Sequence, residues 1–191
     1  MHEQQSGHED HGDPIRVTTS HASRAGTLVF DGDYATLTFE RRIGHPIQAV
    51  WEALTEPEHL ARWYMTRALI DGRKGGSIDF RTGPGQLHVT GRILAWEPPH
   101  VFEYEWKVRP WQGMPHGEDA IVRWELRQEG EEPLLTLTHR NLTRRSALGA
   151  APSMHVVLDR LAAHLAGVPF EDFRKRVAEV QEQYPPREEG R

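Results

Sequence analysis

Residues 47–64, IQAVWEALTEPEHLARWY, decide the fold. Ile47, Val50, Trp51 and Leu54 fall at i, i+3, i+4 and i+7, so they share one face of a helix. Pro46 can open that helix, and the Thr55-Glu56-Pro57 break ends it. Thr55 and Glu58 have the spacing of a capping box for a second, short helix with Leu60, Trp63 and Tyr64 as its apolar residues. Upstream, Asp31-Gly32 is a strong turn signal between Thr27–Phe30 and Tyr34–Ile43, which read as a hairpin or a kinked strand. Alternation along the second segment turns Leu37 and Phe39 toward the core.

Downstream of the loop at residues 71–76, the strand segments are Ser77–Thr82, Gln86–Trp96, Val101–Val108, Ala120–Gln128 and Leu134–Asn141. Gly83-Pro84-Gly85, Glu97-Pro98-Pro99, the Arg109–Asp119 loop and Gly130–Pro133 separate them. Short, turn-bounded, alternating strands predict an antiparallel meander. Gly91 within a strand predicts a bulge or sharp bend. A long helix follows from about Ser153 to Ala166, with Met154, Val157, Leu158, Leu161 and Leu165 in one narrow arc. Gly167 caps it, and Pro169 starts another helix striped by Phe170, Phe173, Val177, Val180 and Tyr184. This order predicts an α+β fold in which a curved antiparallel sheet wraps a helix around a hollow.

Composition bounds the class. The chain has 191 residues, 37% hydrophobic and 27% charged, which suits one domain with polar tails. Residues 1 to about 25 are too polar to bury a core and are expected to be a disordered tail carrying His2, His8, His11 and His21. The domain then spans 26–168, and 169–191 forms the extra helix and a frayed end. A net charge of −5 argues against general binding to nucleic acid or anionic membrane. With no cysteine, disulfides, thiolate metal sites and a cysteine nucleophile are excluded. The N-terminus lacks an apolar signal region, and no run approaches the ~18 apolar residues of a membrane span. A cytoplasmic location is the resulting expectation.

Several segments together resemble the activator-of-Hsp90-ATPase-homologue-like family of the START-like, or SRPBCC helix-grip, superfamily. They are Ile47–Tyr64, the Gly75-Gly76 turn before a Phe-containing strand, Gly91-Arg92-Ile93-Leu94 leading into Glu97-Pro98-Pro99, Phe102/Tyr104/Trp106, Leu135–His139 and Leu158–Gly167. The resemblance covers roughly residues 34–168. It implies a curved sheet around the long helix with a cavity between them. It also implies a range of roles among many bacterial members: lipid and polyketide binders, cyclases and co-chaperone domains. The Hsp90 activators that name the family carry an Asn-rich, Trp-His-Trp motif in a separate N-terminal domain, and no such motif occurs in these 191 residues.

Phe102, Tyr104 and Trp106 alternate along one strand and Val122, Trp124 and Leu126 along the next, so each set faces one side. Opposed to Met154, Val157, Leu158 and Leu161, they form either an ordinary packed core or the wall of an apolar pocket. The expected cavity wall is Trp63, Phe80, Tyr104, Trp106, Trp124, Met154 and Leu158. His139 shares the inward face with Leu135 and Leu137, and a buried ring needs a partner. That partner is either a ligand or a neighbouring protein group. The resemblance places the Arg62-Trp63-Tyr64 corner at the cavity mouth, with Tyr64, Trp111 and Met114 around it.

Metal and cofactor signals are absent: His155 and His164 point to opposite sides of their helix, and His59 has no acid or His at i+4. No serine sits in a nucleophile elbow, and Glu103, Glu105 and Glu125 face away from the aromatic side. Arg140–Arg145 reads as a solvated basic loop. The aromatic faces and the family resemblance together lead to an expected function of binding or sequestration of a small hydrophobic, aromatic or polyketide-like molecule. The alternatives are a polyketide cyclase or aromatase using His139, and protection against a reactive metabolite or a co-chaperone role. The C-terminal helix is the expected surface for a protein partner or a homodimer.

Overall fold

The computed structural model of the chain describes residues 16–17, 24–83, 87–170 and 172–186. In chain order the elements are β1 (Arg16–Val17), β2 (Thr27–Asp31), β3 (Tyr34–Arg42), α1 (Ile47–Thr55), α2 (Pro57–Trp63), β4 (Thr66–Ile70), β5 (Ser77–Thr82) and β6 (Leu87–Glu97). Then come β7 (Val101–Val108), β8 (Glu118–Glu129), β9 (Glu132–Thr143), α3 (Arg144–Leu165) and α4 (Phe173–Val180), closed by a 3₁₀ turn at Gln181–Gln183. The strands form one antiparallel sheet in the order β1-β2-β3-β9-β8-β7-β6-β5-β4. The α1–α2 pair carries the chain from β3 across to the far edge, and the meander β4–β9 brings it back to pair with β3. The α+β helix-grip architecture is as the sequence predicts.

Local chemistry explains the helices and corrects how they start. Pro46 is the N-cap of α1, which buries Val50, Trp51, Ala53 and Leu54. The expected Thr55–Glu58 capping box does not form. The Thr55 hydroxyl instead donates to the Trp51 carbonyl at 2.8 Å, and Pro57, which has no N–H to satisfy, starts α2. The Trp63 indole donates to the Ala53 carbonyl at 2.7 Å and locks α2 onto α1.

The long helix starts well before Ser153. The Thr143 hydroxyl accepts from the Ser146 amide, and the helix runs through Pro152. Its first half reads weakly in sequence because the buried residues there include Ala147 and Ala151, which are small. Arg140–Arg145 is accordingly no loop. Arg140 pairs with Glu103 at the end of β9, and Arg144 and Arg145 open α3. Strand β4 carries no sequence signal, since its inward residues Thr66 and Ala68 are small and polar or weakly apolar, while Leu69 faces out.

Gly91 lies where a Cβ would sit 1.9 Å from the Glu105 carbonyl oxygen, a close approach that only glycine permits. The register shift it suggested comes a little later, between Ile93 and Ala95, and a second falls between Ala35 and Leu37. Such irregularities accompany strong curvature. On the outer face, Arg140 and Arg123 hydrogen-bond Glu103 and hold its carboxyl below the usual range, and Arg92 does the same for Glu105.

Helix α4 begins at Phe173 rather than Pro169, capped by the Asp172 side chain. It packs on α3, with Val180 and Tyr184 buried. The Tyr184 hydroxyl accepts from the Gly26 amide at 3.0 Å and hydrogen-bonds His155 Nδ1 at 2.8 Å. Of the N-terminal tail, Arg16–Val17 pairs with β2, and the rest of 1–23 lies outside the described residues, as do 187–191.

Candidate functional site

The inward aromatic side chains divide into two groups. Toward α1 and α2, Phe102 and Tyr104 pack at 4.6 Å between ring centroids, Phe80 meets Tyr104 edge-on at 5.6 Å, and Trp63 meets Trp124 at 6.4 Å. The Trp124 indole donates to the Tyr104 hydroxyl at 3.3 Å. Burial pushes the Tyr104 phenol well above its ordinary value, so it stays a neutral hydroxyl inside a closed cluster. Toward the N-terminal half of α3 the packing changes. Ser146, Gly149, Ala150 and Ser153 are too short to reach the sheet, and a Cβ at Gly149 would meet nothing within 4 Å. The gap is a pocket of about 540 Å³ between α3, the sheet and the loop at residues 113–117.

Of the expected wall residues, Trp106, His139 and Met154 line this pocket, and of the expected mouth residues, Tyr64 and Met114 do. Trp63, Phe80, Tyr104, Trp124 and Leu158 do not. They are buried in the closed core because bulky neighbours from α1, α2 and the C-terminal half of α3 fill that side. Trp111 is 51% exposed and does not line the pocket. Its amide and carbonyl pair with those of Met114, and its ring folds back over Gly113. Leu87, Leu142 and Val157 complete the apolar wall.

His139 is the unusual member. It is 3% exposed, and neither ring nitrogen has a hydrogen-bond partner among the described residues. Its register neighbours are Leu37 on β3 and Val122 on β8, and the Trp106 ring stands edge-on at 5.5 Å. Burial among these apolar groups drives its pKa down to about 3, so the imidazole is neutral, with one N–H donor and one bare nitrogen.

Sequence reasoning missed the other polar residues of the pocket. Glu118, 7% exposed, begins β8, and its carboxylate accepts from the Thr143 amide at 3.1 Å and the Thr143 hydroxyl at 3.0 Å. It fixes the corner where β9 turns into α3. Thr143, Ser146 and Ser153 line the same side, and exposed Arg145 sits at the rim. The only available signal was that Glu118 begins an alternation with Ala120, Val122 and Trp124 that turns all four inward.

Among the described residues, no group of three or more His, Asp or Glu side chains is placed to hold a metal ion. His155 and His164 do diverge: His155 meets Tyr184, while His164 Nε2 lies 2.8 Å from His59 Nδ1, a contact between helices that spacing within α2 could not reveal. No helix among them is long and apolar enough to cross a membrane.

The family described as activator of Hsp90 ATPase homolog 1-like protein matches residues 44–166, well over half of the chain. No curated protein matches. The fold is similar to the crystal structure of CalU16 from Micromonospora echinospora, at 23% identity and a TM-score of 0.62 over 91% of this chain and 96% of that one. It is also similar to protein MLL2253 from Mesorhizobium loti, at 22% identity and 0.63 over 71% and 99%. The solution structure of the protein encoded by BPP1335 from Bordetella parapertussis matches at 26% identity and 0.62 over 87% and 89%.

Proposed function

The chain belongs to the activator of Hsp90 ATPase homolog 1-like family, and from that premise we propose that it binds a small, largely apolar molecule in the pocket between α3 and the sheet. The observation that carries this is His139: a buried imidazole whose nitrogens have no partner among the described residues, set in the wall of a cavity of about 540 Å³. An unsatisfied buried polar group costs roughly 1–3 kcal/mol, which a bound ligand can recover. The cavity has the size and mainly apolar lining of a small-molecule site. Binding rather than turnover is the role this favours, because an imidazole held neutral by burial is a weak base and is not an imidazolium acid at neutral pH.

One observation favours the cyclase-type alternative. Glu118 shares the pocket with His139, so a second titratable group is present. Both of its oxygens accept hydrogen bonds from Thr143, which suits a positioning role better than proton transfer.

The test is native mass spectrometry of the full chain purified from its own source, with denaturing extraction of whatever travels with it. A stoichiometric small molecule is expected, and adding it at about 100 times its Kd to emptied protein should raise stability by roughly 2.7 kcal/mol. An apo mass together with no melting shift from any apolar probe refutes the proposal.

A further inference from the structure

The pocket wall restricts the chemistry of what it can hold. A neutral imidazole presents one donor and one acceptor, and in His139 both are unused. The side chains around it, Leu37, Val122 and Trp106, offer no partner and no counter-charge. A hydroxyl is the smallest group that can serve whichever of the two nitrogens it reaches, accepting from the N–H or donating to the bare nitrogen. A carboxylate can only accept, an ammonium can only donate, and either would bring an uncompensated charge into an apolar floor.

The second restriction comes from Glu118. Among the described residues it is the one acid lining this pocket, and the Thr143 amide and hydroxyl hold its carboxylate in place. The basic side chains along the wall are His116, in the loop, and Arg145, which is exposed at the rim and screened by solvent. An anionic ligand would therefore lie against a fixed acid with no buried cation to offset it. The rest of the wall, including Leu142, Met154 and Val157, accepts an apolar body.

We propose that this pocket takes an uncharged molecule with an apolar body and a buried hydroxyl that hydrogen-bonds His139, and that Glu118 disfavours anionic counterparts. This rests on the ligand-binding reading above. The selectivity resides in two positions, a deep hydrogen-bonding ring and an acid at the strand–helix corner, rather than in the shape of the cavity.

The test uses the full chain and four probes of one skeleton: naphthalene, 2-naphthol, 2-naphthamide and 2-naphthoate, measured by titration calorimetry at neutral pH. 2-Naphthol is expected to bind at least tenfold more tightly than naphthalene. 2-Naphthoate is expected to bind at least tenfold more weakly than 2-naphthamide. In His139→Phe, which keeps an aromatic ring of similar size, the first ratio should fall to near one. In Glu118→Gln the second ratio should shrink severalfold. Equal affinities for naphthalene and 2-naphthol in the unmodified chain overturn the hydroxyl assignment without any variant having to fold. Preference for 2-naphthoate over 2-naphthamide overturns the charge filter. Binding of none of the four sinks the pocket reading itself, whereas uniform binding of all four leaves that reading standing and removes only this inference.

Discussion

Lowering the pH from 7.5 to 5.0 should destabilise the fold through two buried histidines. His139 has its pKa lowered to about 3 by burial, and His155 to about 4, chiefly by burial as well and then by Arg41 and Arg176, with Asp159 opposing. Both are nearly inaccessible, at 3% and 1% exposed. The unfolded chain takes up a proton at each histidine near pH 6.5, while the folded chain does so only near its lowered value. Stability is therefore complete above pH 6.5 and falls as the pH drops toward the folded values. At pH 5.0 each histidine has cost the fold about 2 kcal/mol, or about 4 kcal/mol together. That is a large part of the 5–15 kcal/mol of an ordinary domain. His164 shifts in the same direction and adds to the loss. The lowered carboxyls of Glu103 and Glu105 contribute only below the usual carboxylate range, so pH 5.0–6.5 isolates the histidines. Urea unfolding followed by tryptophan fluorescence across this window should give a stability slope of about two protons near pH 5.5 in the unmodified chain. His139→Phe should reduce it by about one. Stability that stays flat between pH 6.5 and 5.0, or a slope unchanged in His139→Phe, would refute the reasoning.

Three further outcomes follow from particular contacts. Gly91→Ala should destabilise the domain by roughly 3 kcal/mol or more, because its Cβ meets the Glu105 carbonyl oxygen at 1.9 Å and one strand must move; thermal melts would show this directly. Tyr184→Phe removes a hydroxyl that bridges the Gly26 amide and His155, at a cost of about 1–2 kcal/mol, and hydrogen exchange should accelerate first at Gly26 and in α4. Trp63→Phe keeps a ring but loses the 2.7 Å bond to the Ala53 carbonyl, leaving that acceptor unpaired between α1 and α2, and should lower stability by about 1–3 kcal/mol in urea titrations.

How much was legible depended on side-chain size. The alternation Phe102, Tyr104, Trp106 and the stripe Met154, Val157, Leu158, Leu161 announced the sheet face and the helix that packs on it, because large apolar residues carry strong periodicity. Strand β4 and the first half of α3 were silent for the opposite reason. Their inward residues, Thr66, Ala68, Ala147 and Ala151, are small, and Pro152 looks like a helix start although it lies inside one. The arginines of residues 140–145 read as a surface loop because composition does not show that Glu103 waits across the sheet.

The same size rule explains why the pocket lies away from most of the aromatic side chains expected to line it. Large rings satisfy one another: Tyr104 accepts from Trp124, Phe80 and Phe102 pack on Tyr104, and Trp63 seals the side toward α1. Space is left where facing residues are short, and in α3 those are Ser146, Gly149, Ala150 and Ser153. The aromatic strand still contributes, but through its last member, Trp106, which lies beyond the closed cluster and beside His139. Adding a side chain at one of these short positions tests this directly. Gly149→Leu would project a side chain where nothing lies within 4 Å of the Cβ, in a helix that gains from losing a glycine. The variant should fold at least as stably as the unmodified chain and yet lose most affinity for 2-naphthol. Unchanged affinity with a filled gap would mean that the ligand sits elsewhere.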